Sequence, residues 1–161
     1  MATYQNANQA FQTPVPGQVS LSPNLNVKTC RINPSSQATV IQAGTPVKLL
    51  AAVGAEIIVD AIAGLTTGPI LGLITYNTIK NTYAAGDLVE VGCAGTVMYL
   101  ESASAVNRGV NVSVDPATTL VDDEATATHY VHGVAIDQCA AANVLIRVEV
   151  QPGLAAIPSG T

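Results

Sequence analysis

From residue 43 onward the chain alternates apolar and polar positions, or runs continuously β-branched, in short bursts cut off by glycine. These bursts fall at residues 39–41, 47–50, 56–61, 70–76, 88–91, 96–100, 111–114, 130–136 and 144–150, and each predicts a strand. Gly54, Gly64, Gly68, Gly92, Gly95 and the Asp115-Pro116 pair supply the punctuation. Leu49, Val53, Ile57 and Ala61 also fit a helical stripe. Gly54 followed by the Glu56-Ile57-Ile58-Val59-Asp60 run favours a strand after a turn.

Several strands are introduced alike: Ala43-Gly44 before Val47, Ala85-Gly86 before Leu88, Arg108-Gly109 before Val110, and Ala142-Asn143 before Val144. Gly and Asn are the residues that most readily take the left-handed conformation that redirects a chain. Ala/Ser-rich stretches at 81–85, 102–108 and 139–142 precede three of these entries and predict one or two short helical turns. The lines Gly44…Gly72-Leu73-Ile74…Gly86 and Gly109…Gly133-Val134-Ala135…Asn143 resemble one another as a degenerate duplication. The expected fold is all-β, a small barrel or sandwich built from pseudo-repeated short strands, plus an extended N-terminal arm.

Composition sets the arm apart. Residues 1–42 hold six of the eight Gln, four of the nine Pro, two cations and no acid; the remaining 119 hold four cations and all 11 acids. Pro14, Pro16, Pro23 and Pro34 exclude a long helix, and the segment is too polar to offset its own ordering entropy alone. This predicts an arm (1–42) ordered by a neighbouring subunit, the alternative being an arm wrapped on its own body, followed by a β-rich body (43–150) and a flexible tail (151–161). Phe11, Val15, Leu21 and Leu25 are the arm's candidate apolar anchors for a partner. Lys28 and Arg31 are its candidates for meeting partner carboxylates.

Charge narrows the function. Charged residues make up 11% of the 161, with six Lys+Arg against 11 Asp+Glu, against a usual content of about 25%. Such a surface is neutral and polar, and suits being covered by other chains. Six scattered cations give no phosphate-binding footprint, so no nucleic-acid partner is expected. With one Phe and no Trp there is little to stack on bases or sugars. The most apolar stretch, 49–65, is interrupted by Glu56 and Asp60 and too short to span a bilayer, so no membrane partner is expected either. The first residues carry no basic start and no apolar core, which predicts no secretory signal. Cys30, Cys93 and Cys139 form neither a disulfide framework nor a zinc knuckle and read as reduced thiols.

Candidate chemistry is thin. No glycine precedes a lysine, which excludes a phosphate-binding loop, and GxSxG is missing. His129 and His132 on a strand would point to opposite faces, poor geometry for sharing a metal, and read as an exposed pair at a strand entrance. The acidic run Asp122-Asp123-Glu124, with Asp115 before it, follows no calcium-loop spacing and reads as a solvated loop. The sequon Asn111-Val112-Ser113 has meaning only along a secretory route. The reading is of no catalytic, cofactor or metal residue, hence no enzyme. A hydrolase using a carboxylate pair or a Cys–His dyad is the competing class.

Residues 43–150 resemble the capsid decoration, or cement, proteins of tailed bacteriophages. The resemblance lies in Ala43-Gly44-Thr45-Pro46-Val47-Lys48-Leu49, Gly68-Pro69-Ile70-Leu71-Gly72-Leu73-Ile74 and Ala85-Gly86-Asp87-Leu88-Val89-Glu90-Val91. It continues in Gly95-Thr96-Val97-Met98, Arg108-Gly109-Val110-Asn111-Val112 and His132-Gly133-Val134-Ala135, closing on the valine-rich strand 144–150. The resemblance implies a structural protein made in the host cytoplasm and added to the outer face of the virion's capsid. Its partners would be the major capsid protein and further copies of itself, as trimers or dimers. A tail or fibre subunit, or a surface-layer protein, is the alternative assembly role.

Overall fold

The computed structural model describes residues 14–20, 25–36, 38, 41–54, 56–62, 70–123 and 130–151. Among the described residues ten strands run in chain order: β1 Val27–Ile32, β2 Pro46–Val53, β3 Glu56–Ala61, β4 Gly72–Ile74, β5 Leu88–Gly92, β6 Val97–Glu101, β7 Asn111–Val114, β8 Val121–Asp123, β9 Gly133–Ala135 and β10 Leu145–Val150. The all-β expectation is met. Among the described residues there is no helix. The predicted helical turns are bends and bridges instead, because their amides are used elsewhere. Val106 N–H donates to the Cys139 carbonyl at 3.0 Å and Cys139 N–H returns a bond to Val106 at 2.9 Å, so two Ala/Ser-rich stretches pair with each other.

β1 to β5 close a barrel in the order β1-β3-β2-β4-β5, with β5 antiparallel to β1 and β1 parallel to β3. The remaining strands form a second sheet, β6-β10-β9-β7-β8. Advancing every strand of the first ring by five places reproduces this second order. At the seam where β1 and β3 pair in parallel, the second unit keeps one parallel bridge, Ser102 to Val121. The backbone bonds repeat as well. Leu71 donates to Val47 and His132 to Val112; Gly44 to Ile74 and Gly109 to Ala135; Thr75 to Glu90 and Ile136 to Arg147. The duplication is therefore structural, and the second unit is a splayed version of the first.

Each unit has its own apolar interior. Cys30, Ile32, Val47, Val59, Ile74, Val89 and Val91 fill the first. Leu100, Val112, Val121, Ala135, Ile146, Val148 and Val150 pack in the second. The four strand entries behave as their residues require: φ is 89° at Gly44, 87° at Gly86, 79° at Gly109 and 59° at Asn143.

Two elements are absent from the sequence reading. Composition places residues 27–32 in the arm, but they are β1, paired on both edges, with Cys30 and Ile32 in the barrel core. Lys28, Thr29 and Arg31 mask the pattern, since only two of the six side chains are buried. Residues 17–20 also lie on the body. Gly17 donates to the Tyr99 carbonyl, Tyr99 to Gln18 and Ser20 to Val97, which covers the β6 edge left open by the splayed sheet. The acidic run at Asp122-Asp123 is β8, paired with β7, rather than a loop; Glu124 lies outside the described residues.

The two units meet end to side. The Met98 end of the second unit abuts β4 and β5 of the first, where Gly92 leaves room: a Cβ there would lie 2.9 Å from Met98 Sδ. Leu73, Ile62 and Ile70 of the first unit complete the second unit's core.

Candidate interaction surfaces

A strand buries alternate side chains, so apolar residues left outside a barrel need another reason to be there. Among the described residues the first barrel has five that are at least half exposed: Leu25 64%, Leu49 53%, Leu50 50%, Ile79 93% and Leu88 59%; in the second unit Val144 reaches 39%. Topology sorts them into two groups. Leu25 precedes β1; Leu49 and Leu50 are the fourth and fifth of the eight residues of β2, which runs antiparallel to β1 through β3 and so heads toward the end where Leu25 lies. Leu88 opens β5 and Ile79 sits in the loop leading into it, so these two mark the opposite end.

The irregularity in β2 explains why two adjacent leucines of the first group are both exposed. Register shifts between Leu49 and Ala51 against β3, so the strand bulges and two consecutive leucines leave the regular alternation. The Ile79 loop is braced from below. Asn77 Oδ1 accepts the Ile79 amide at 2.8 Å, and Asp87 accepts the Ala84 amide at 2.8 Å and an ion pair from Lys80. Those bonds, the Ala84 amide first, hold the Asp87 carboxyl below its ordinary range. Lys80 Nζ also stands 5.7 Å from the Tyr83 ring centre. Ile79 is thus presented on an ordered loop.

Among the described residues, the predicted arm contacts Val15, Leu25, Lys28 and Arg31 lie in different places. Phe11 and Leu21 lie outside the described residues. Val15 is half-buried and lines a cleft of about 410 Å³ between the units, with Pro16, Gln42, Tyr76, Asn81 and Thr119. Leu25 and Lys28 share the β1 start, and Lys28 is exposed with no ion pair among the described residues. Arg31 is engaged by its own barrel: Nε donates to Glu56 and an Nη to the Gly86 carbonyl at 2.8 Å. Leu49, Leu50, Ile79 and Leu88 were missed. Adjacent leucines in a strand, and a lone isoleucine inside Asn77-Thr78-Ile79-Lys80-Asn81, were the signals available.

The titratable groups considered from sequence are tied into structure. His132 is fully buried rather than exposed, and its Nδ1 accepts the Val114 amide at 2.9 Å; His129 lies outside the described residues. Burial, with a smaller push from Cys93 and against a pull from Lys28, raises the Cys30 thiol to about 11, so it stays protonated at neutral pH. Asp137 clasps Arg147 with both oxygens, at 2.9 Å to Nε and 2.7 Å to an Nη.

The chain matches no protein-family model and no curated protein. Among solved structures it is similar to the N base of the head fiber gp8.5 of bacteriophage phi29. The identity is 15% and the TM-score 0.46, covering 80% of this chain and 95% of that one.

Proposed function

We propose that this chain is a structural protein of a phage virion that binds the outer face of the capsid. There it stabilises the shell by clamping neighbouring major capsid proteins through its body and its N-terminal residues. The observation that carries the reading is the concentration of exposed apolar side chains on the first barrel, in a chain only 11% charged. Covering a Leu or Ile is worth roughly 1.5–3 kcal/mol when complete, and few unpaired charges are buried in doing so. The resemblance of residues 43–150 to decoration proteins supports the same role.

The end carrying Ile79 and Leu88 is the capsid-facing one. Val15 and Pro16 line one cleft with Asn81 of that loop. Body and arm then engage adjacent capsid subunits, and two modest contacts combine through effective concentration. A ligand that binds only the intact lattice stabilises it by about 2.7 kcal/mol at 100-fold excess over Kd.

Cryo-electron microscopy of native particles tests this directly: copies should sit on the head's outer face with the Ile79 loop against the shell. Ile79→Asp and Leu88→Asp should lower occupancy on isolated shells and leave them more heat-sensitive. Purified virions lacking the protein, or both variants binding like wild type, would refute the assignment.

A further inference from the structure

The duplication lets one end of each unit be compared with the other. Lys28 is paired with Val91, and Met98 with Val148. Leu49 is paired with Val59, and Val114 with Val121. Met98 and Val114 therefore hold in the second unit the places of Lys28 and Leu49 in the first. In the second unit both are fully buried, because the wall of the first unit stoppers that end. In the first unit Lys28 is exposed and Leu49 is 53% exposed. One mouth is filled and its twin is open.

The stopper has a twin as well. Within the chain it is built around the cross-strand pair Leu73 and Gly92 of β4 and β5. The matching pair on β9 and β10 is Val134 and Glu149, both partly exposed. The substitutions are correlated: Met against Gly inside the chain becomes Lys against Glu on the free surfaces. Neither Lys28 nor Glu149 has an ion pair among the described residues. We infer that the open end of the first barrel, lined by Lys28 and Leu49, seats on the β9–β10 wall of a second copy. Lys28 there meets Glu149, repeating between chains the joint that holds the two units together.

Mouth and wall lie on different units, so the contact is heterologous and each copy offers one of each, giving rings or open chains. It does not depend on capsid binding. The test is sedentation-based mass measurement of the full chain over a concentration series, with Lys28→Glu, Glu149→Lys, and the two variants mixed. Wild type should associate, and each single variant should weaken association roughly tenfold or more. The equimolar mixture should recover it, because each variant's intact surface, and its reversed one, finds a complement on the other. Melting curves of both variants check that they fold; should either fail, Leu49→Asp replaces the mouth variant and Val134→Asp the wall variant. A wild type that stays monomeric, singles that associate like wild type, or a mixture no better than the singles would each overturn the inference.

Discussion

Gly72 lies flat against the backbone of Gly92: a Cβ on Gly72 would stand 2.2 Å from the Gly92 carbonyl oxygen. In the second unit a Cβ on Gly133 would stand 2.5 Å from the Glu149 carbonyl oxygen. In both cases a strand would have to move. Gly72→Ala and Gly133→Ala should each cost about 3 kcal/mol or more. Gly92→Ala meets side chains rather than backbone, Met98 Sδ at 2.9 Å and the Thr96 methyl at 3.1 Å, and should cost about 1–2 kcal/mol. Denaturant midpoints of the three variants check the order; a Gly72→Ala protein as stable as Gly92→Ala would contradict it.

Asn143 holds in the second unit the place of Gly86 in the first. The Gly86 amide donates to Ile32 and the Asn143 amide to Ser102, both at the strand end beside the seam. At φ 59° an alanine is disfavoured by about 1–2 kcal/mol while glycine is tolerated. Asn143→Ala should lower the melting temperature by several degrees, and Asn143→Gly should leave it within a degree or two. Equal losses from both would show that the Asn side chain, not the backbone, matters here.

Strands with a clean alternation were legible from sequence. β3 and β7 match their predicted bounds, and β10 is one residue shorter than its prediction. The duplication was legible through Gly44, Gly109, Gly86 and Asn143, because a left-handed φ restricts the residue choice. β1 was not, since what makes residues 27–32 a strand is a pair of distant edges, β3 and β5, rather than any local pattern. β8 was hidden by Asp122 and Asp123, which occupy a strand whose one buried residue is Val121. The interaction surface was largely illegible. Exposure of Leu50 follows from a bulge, and exposure of Leu49 and Lys28 follows from which barrel end stays open, and both are decided by tertiary packing.

Asp137 and Arg147 make the chain's pH dependence readable. The Arg147 guanidinium, chiefly through its side-chain bonds and aided by the Arg147 amide, holds the Asp137 carboxyl below the ordinary carboxylate range. A carboxyl depressed in the folded state contributes stability above its unfolded pKa and loses it as pH falls through the folded value. The side chains are 29% and 43% exposed, so solvent screening limits the pair to about 1 kcal/mol. Arg147→Met should be less stable than wild type by that amount at neutral pH. The gap should close in acid, as pH falls below the ordinary carboxylate range. A gap unchanged across that range would assign the loss to packing rather than charge.

The N-terminal segment separates three roles by where it is cut. On the proposed role residues 1–13 act on the capsid, so removing them should leave the melting temperature of the free protein within about a degree or two of wild type. Removing 1–20 also strips the three bonds that Gly17, Gln18 and Ser20 make with β6, together with the Val19 contact on the second core. That exposes an edge strand and should cost about 2–4 kcal/mol and favour aggregation. Removing 1–36 takes out β1, which closes the first barrel and supplies Cys30 and Ile32 to its core. Amide exchange should then show β3 and β5 unprotected, with the second unit losing Met98's packing partner in turn. A chain starting at residue 37 that keeps β3 and β5 protected would mean the barrel closes without β1.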